Sequence, residues 1–252
     1  MSPAAGPERY SLAQRLAAEM MGSALLVMAA ITPMILGCQV LGGGLALAVF
    51  MDAVAVAMVL FVLIEVLEPV SCCHINPAVT LAMVVRGRME PRMGLAYVAA
   101  QFAGGLAGAL LSHAMFCHHG FYQVLSISHV ARGQGAYLGE FLGTFALVMA
   151  IFGCMARMSR QPGLVIGLLV GGLLLATSST MFANPQVTLA RMFTFSAAGV
   201  RPLDGLWFMV CECLGALAAA GAAAWLFQPA GQKEPRGGLH GPQPTLSIRN
   251  KR

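Results

Sequence analysis

Apolar positions along the chain fall into six long, nearly unbroken runs, at about 12–32, 44–64, 93–116, 137–158, 163–180 and 203–227. Each approaches the ~20 residues that an α-helix needs to cross the hydrocarbon of a bilayer. The fifth is the shortest and needs help from its flanks. The runs are rich in Ala, Leu, Met and Gly and lack period-two alternation, so they predict helices and not membrane strands. Two further segments, 70–90 and 181–200, are moderately apolar but too short to cross. Each carries an Asn-Pro pair, Asn76-Pro77 and Asn184-Pro185. A capping side chain followed by proline at the first helical position marks a helix start. A short helix between full spans reads as re-entrant, with irregular backbone buried in protein or beside a wet cavity. Residues 1–11 read as a short cytoplasmic segment and 12–227 as one membrane domain. Residues 228–252, rich in Pro and Gly with scattered cations, read as a disordered tail.

Composition narrows the class. Of 252 residues, 58% are hydrophobic and 10% charged, against roughly 25% charged in soluble domains. The mean hydropathy of +0.76 excludes an ordinary soluble domain and a largely disordered chain. The net charge is +5, but the cations lie between apolar runs. They read as topology signals, with no nucleic-acid face. With the N-terminus inside, only Arg132, Arg191 and Arg201 of the fifteen Lys and Arg residues fall outside. Both termini are therefore expected in the cytoplasm, and the loop of about 117–136 outside. The first run is too long for the core of a signal peptide and stays as a span. The seven cysteines show no spacing of a disulfide framework or a zinc site, and they read as small buried apolar residues.

The two halves repeat. Glu19-Met-Met-Gly-Ser-Ala-Leu-Leu-Val-Met28 matches Glu140-Phe-Leu-Gly-Thr-Phe-Ala-Leu-Val-Met149 at an offset of 121. Asn76-Pro-Ala-Val-Thr-Leu-Ala82 matches Asn184-Pro-Gln-Val-Thr-Leu-Ala190 at 108, and Gln101-Phe-Ala-Gly-Gly-Leu-Ala107 matches Glu212-Cys-Leu-Gly-Ala-Leu-Ala218 at 111. Each half, about 12–116 and 137–227, holds three spans, so the second enters the membrane from the opposite side. Such inverted repeats place their site near the midplane, at the repeat interface. The expected architecture is an all-α membrane protein with six transmembrane helices, two re-entrant half-helices and an inverted 3+3 repeat.

Two Asn-Pro boxes in this frame resemble those of the aquaporin and aquaglyceroporin family, over about residues 12–227. The first, Ser71-Cys-Cys-His-Ile-Asn-Pro-Ala-Val-Thr80, is a close match; the second departs from Asn-Pro-Ala at Gln186. The resemblance implies a homotetramer in the cell (inner) membrane, one pore per subunit, and passive diffusion of water or small neutral solutes without a cofactor. Helix N-termini carry partial positive charge and free N–H groups. Two of them meeting at mid-pore would repel cations, while Asn76 and Asn184 aim amide donors at permeant oxygens. Pro77, Ala78, Pro185 and Gln186 complete the central constriction. Gln186 either narrows the pore or contacts the scaffold; the family, which packs this position against the other box, favours the scaffold. Glu19 and Glu140 lie inside apolar runs and either meet the solute directly or support the loops; the resemblance favours support, accepting hydrogen bonds from loop backbone. Gln101 and Glu212 read as polar links between helices. His74, beside the first box, is either a packed residue of that support or a pH gate. His118, His119 and His129 read as solvated loop residues, and no metal site is expected.

The family's outer filter, carried over by counting from the boxes without gaps, falls at Val56, Gly172, Met181 and Val187. Water-selective members carry bulky aromatic and histidine residues there, and an arginine where this chain has Val187. A wide, uncharged filter should admit glycerol-like polyols, urea and neutral metalloid acids such as arsenite or methylated arsenicals; some bacterial members lacking that arginine are associated with arsenic handling. The alternative is a water-selective channel. Two charges fall outside the family pattern. Arg191 lies one turn beyond Val187, and Asp52 one turn before Val56. Either they pair in the lumen as a displaced neutral constriction, or Arg191 extends to the outer interface and Asp52 caps a loop. No hydrolase or protease motif supports an enzyme. Proton-coupled transport would need carboxylates along the path, for which Asp52 is the one candidate.

Overall fold

The computed structural model describes residues 9–117 and 125–228. The N-terminal segment before Arg9, His118 and His119, and the tail beyond Gln228 lie outside the described residues. Among these, all regular structure is helical. Helix α1, Leu12–Met34, continues as a π-turn over Ile35–Val40. It is followed by α2 (Gly44–Ser71), the short α3 (Pro77–Val85) and α4 (Pro91–Ala114). The second half repeats the order as α5 (Gln134–Ala156), α6 (Pro162–Ala176), the short α7 (Pro185–Arg191) and α8 (Pro202–Leu226).

Local chemistry sets these ends. Ser11 and Gln14 form a capping box at the start of α1. Proline stands at the first position of α3, α4, α6, α7 and α8, where its missing N–H costs nothing. Pro33 lies inside α1 just before the π-turn, a place where the i→i−4 ladder is already interrupted. The expected run of 44–64 becomes a helix to Ser71, because Pro69 is accommodated within it. The expected run of 163–180 stops at Ala176, where Thr177 turns extended. Among the described residues five helices are long and apolar enough to cross a bilayer, and α6 is a shorter apolar helix of 15 residues.

The helices pair as the repeat requires: α1 lies along α4 and α5 along α8, while α2 packs on α1 and on α6. The short helices cross between halves, α3 reaching α8 and α7 reaching α4. Close approach depends on glycine. A Cβ on Gly104 would collide with the carbonyl oxygen of Met20, and one on Gly215 with that of Phe141. These two contacts are equivalent under the repeat, and they let the backbones of α1/α4 and α5/α8 touch.

Candidate functional site

The site is built where the two short helices begin. Asn76 caps α3, its Oδ1 accepting from the N–H groups of Ala78 at 2.8 Å and Val79 at 3.4 Å. Asn184 caps α7, accepting from Gln186 N at 3.3 Å. Each amide also donates across the repeat: Asn76 Nδ2 to the Ala183 carbonyl at 2.8 Å, and Asn184 Nδ2 to the Ile75 carbonyl at 2.9 Å. A primary amide has two N–H donors, so one remains on each. Both asparagines line the cavity described below.

The chain approaching each box is strained in the same way. Cys72, Cys73 and Ile75 have φ of 65°, 46° and 38°; Thr180, Met181 and Ala183, each 108 residues later, have 58°, 29° and 48°. β-Branched residues such as Ile75 and Thr180 rarely take positive φ, and the surroundings must hold them there. Glu19 does so in the first half, accepting from His74 N at 2.9 Å and Ile75 N at 2.7 Å. Ser71 Oγ and Gln101 Nε2 also donate to it, at 2.6 and 2.7 Å. Glu140 accepts from Phe182 N at 2.9 Å and Ala183 N at 2.6 Å. Gln101 Nε2 reaches Thr80 Oγ1 at 3.0 Å, and in the second half Thr188 Oγ1 donates to Glu212 at 2.6 Å. Buried backbone donors are thus satisfied by carboxylates from α1 and α5. His74 is packed: its ring sits 3.1 Å from Thr80 Oγ1 and edge-on to Tyr97 at 5.5 Å.

A cavity of about 930 Å³ passes the two boxes. It begins among Arg15, Glu68, Arg88 and Met158 and ends at Phe182 and Arg191. Of the four positions counted out from the boxes, Val56, Met181 and Val187 line it. Gly172 does not. It is exposed on the outer face of α6, with nothing near the direction of its side chain. The cavity face of α6 is Ile166, Val170 and Leu174, spaced by four. Gly172 is two residues from both Val170 and Leu174, about 200° around the helix. Counting failed because the turn at Ser178–Thr180 breaks the helix between the box and this position. Pro77, Ala78, Pro185 and Gln186 are buried in the scaffold and absent from the wall. Gln186 packs against Gly105 of α4, with Nε2 3.4 Å from the Ile75 carbonyl.

Arg191 and Asp52 meet. Arg191 Nη2 lies 3.0 Å from Asp52 Oδ2 and donates to the Ala30 carbonyl at 2.8 Å. Both residues are almost wholly buried, 2% and 1% exposed, so Arg191 does not extend to an interface. Only Arg191 reaches the cavity. Asp52 does not line it and is held by the Arg191 guanidinium. The Arg191 guanidinium carbon is 4.1 Å from the centre of the Phe182 ring, and that of Arg132 is 5.5 Å from the same ring. Burial first, and then the Arg191 charge, push the Arg132 guanidinium down to about 10. The roles of Phe182, Ala30 and Val170 carried no signal in the sequence, because an apolar residue or a backbone carbonyl looks alike wherever it points. His129 is exposed, and no metal-holding cluster of His, Cys, Asp or Glu occurs among the described residues.

The chain resembles known proteins over most of its length. Residues 8–183 match the family model described as major intrinsic protein. The chain is 37% identical over 224 residues to aquaglyceroporin AqpS of Rhizobium meliloti (strain 1021), covering 88% of this chain and 94% of that one. It is 30% identical over 233 residues to aquaporin TIP4-4 of Zea mays, covering 86% and 88%. The fold is similar to the X-ray structure of the aquaglyceroporin from Plasmodium falciparum, with a TM-score of 0.64 at 19% identity, over 86% of this chain and 97% of that one. With two capped half-helices meeting across an inverted repeat, and with these similarities, the chain belongs to the major intrinsic protein family.

Proposed function

We propose that the chain, over about residues 12–227, is a channel for passive diffusion of small neutral solutes, with water among them. The solutes are glycerol-like polyols, urea and neutral metalloid acids such as arsenite or methylated arsenicals. It works as a homotetramer in the cell (inner) membrane, with both termini cytoplasmic. The observation that carries this reading is the cavity wall after the second box. Val56, Met181 and Val187 line it, and the place next to the box holds valine where water-selective relatives of the family pattern hold arginine. Oxygen-bearing solutes can shed water there only against donors, and the Asn76 and Asn184 amides supply them at the centre. A relative named aquaglyceroporin, 37% identical over most of both chains, supports the same class.

One observation favours the water-selective alternative: the bulky side chains of Arg191 and Phe182 both line the cavity. Stopped-flow measurements on proteoliposomes with water, glycerol, urea and arsenite decide between the two. Substantial glycerol, urea or arsenite flux is expected. Val187→Arg is expected to reduce that flux more than it reduces water flux. A wild type that passes water and excludes all three solutes would overturn the wide-filter reading.

A further inference from the structure

The place that the family pattern gives to an arginine is empty of charge at Val187, yet a guanidinium still reaches the cavity. We infer that Arg191 is the solute-selecting contact of this channel, entering from one helical turn beyond the second box, with Asp52 as the positioning residue that holds it and offsets its charge. The inference rests on the reading of the chain as a channel for small neutral solutes, and it names the donor that those solutes meet.

Four observations carry it. Arg191 lines the cavity although only 2% of its surface is exposed, so its contact with the lumen is made by a few atoms at a fixed place. Its geometry is held from three sides. Nη2 is committed to Asp52 at 3.0 Å and to the Ala30 carbonyl at 2.8 Å, and the guanidinium stacks 4.1 Å from the Phe182 ring. A planar guanidinium held this way keeps its remaining N–H groups in fixed directions. Nε and Asp52 Oδ1 are sealed off from the lumen without a protein partner, and Nη2 is already committed, which leaves Nη1 as the guanidinium nitrogen that can meet a solute oxygen. Finally, Phe182 belongs to the strained loop whose N–H groups Glu140 holds, so the aromatic support of the arginine is fixed by the same frame as the box.

The charge bookkeeping sets the ligand class. Arg191 and Asp52 cancel. Arg132, the next guanidinium, is turned to the Gly199 carbonyl at 2.9 Å and does not line the cavity, while Asp204 is taken by Arg201 at 2.7 Å. The lumen at Arg191 therefore offers directed N–H donors with little net charge. That suits a neutral solute with hydroxyl or carbonyl oxygens, and gives no particular attraction to an anion. A charge buried here without its partner would be far costlier than the pair, so the principal variant removes both charges together.

The test uses the full chain in proteoliposomes and reads the ratio of glycerol to water permeability by stopped-flow light scattering. The double variant Arg191→Met/Asp52→Leu removes donor and charge together and keeps the volume apolar. Its ratio is expected to rise at least about threefold over wild type, since the donor and the narrowing are lost together. Arg191→Lys keeps the charge on a compact ammonium that cannot hold Asp52 and Ala30 and still present a fixed N–H to the lumen; its ratio should move the same way by a smaller factor. If the double variant fails to give a monodisperse protein, Asp52→Asn replaces it. There the uncompensated guanidinium is expected to let nitrate enter above the wild-type rate at the same imposed potential. Wild-type ratios in the double variant and in Arg191→Lys, or in the fallback case no nitrate entry in Asp52→Asn, overturn the inference and leave the pair as scaffold. A wild type closed to glycerol, urea and arsenite alike would instead overturn the proposed solute class, and glycerol flux gained by the double variant would still assign selection to Arg191.

Discussion

Replacing Gly105 by alanine is expected to destabilise the channel, and to do so through Gln186. A methyl group at residue 105 would overlap the Gln186 Oε1 atom and lie 3.1 Å from the Gln186 carbonyl oxygen and 3.3 Å from Cδ. Gln186 is wholly buried, so the amide has little space to retreat into. What it would give up is small. Oε1 has no partner, and Nε2 makes one long contact of 3.4 Å to the Ile75 carbonyl. The cost is then mainly that of forcing a methyl into a filled interior, about 1–3 kcal/mol. In a Gln186→Ala background the side-chain overlap vanishes while the 3.1 Å contact with the Gln186 backbone stays. The same substitution should then cost well under the single-variant value, with a coupling energy of about 1–2 kcal/mol between the two sites. The assay is a four-member cycle of purified proteins in one detergent, comparing unfolding rates at fixed temperature, because membrane proteins seldom unfold reversibly. Additive effects across the cycle would refute the packing assigned to Gln186.

Three further outcomes follow from the same geometry. Glu140→Gln should turn an amide NH2 toward the N–H of Phe182 or Ala183, stranding a buried donor at a cost of about 1–3 kcal/mol; thermal inactivation no faster than wild type would count against the support role. Glu212→Gln should be tolerated to within about 1 kcal/mol, since Gln101 holds the equivalent place in the first half, whereas Glu212→Leu removes the acceptor of Thr188 Oγ1 and should cost about 1–3 kcal/mol; melting curves that rank the two variants the other way would refute this. Gly172→Leu should leave solute and water flux at wild-type values, and Leu174→Phe should cut both severalfold in stopped-flow traces; the reverse pattern would return Gly172 to the pore wall.

The sequence carried the frame because its signals were local and doubled. An asparagine followed by proline starts a helix wherever it stands, and both short helices begin at those pairs. The repeat offsets pair Glu19 with Glu140 and Gln101 with Glu212, and the hydrogen bonds of each pair fall in matching surroundings. Side-chain direction was harder. Gly172 was placed by counting through a segment that turns out not to be helical, and two residues of error on a helix reverse the face. Helical periodicity brings Asp52 and Arg191 to the same depth, but it does not say which of two contacting side chains faces the lumen. The extension of α2 to Ser71 and the π-turn after Pro33 are tertiary outcomes, decided by what the helix packs against.

The reciprocal bonds between the boxes also bear on how the protein is made. Asn76 donates to a carbonyl 107 residues later, and Asn184 returns a bond across 109. Neither loop can finish its own hydrogen bonding from its own half. At ribosomal speeds of about 5–20 residues per second, the first box waits on the order of 5–20 seconds in the translocon's neighbourhood before its partner exists. Through that interval the left-handed backbone at Cys72, Cys73 and Ile75 is restrained by Glu19 and the helices of the first half alone. The nascent first half is thus a half-clasp, and release from the insertion machinery before α7 arrives would leave Asn76 seeking a substitute acceptor. In that interval the buried carboxylate of Glu19 is what the waiting N–H groups of His74 and Ile75 have to hold them.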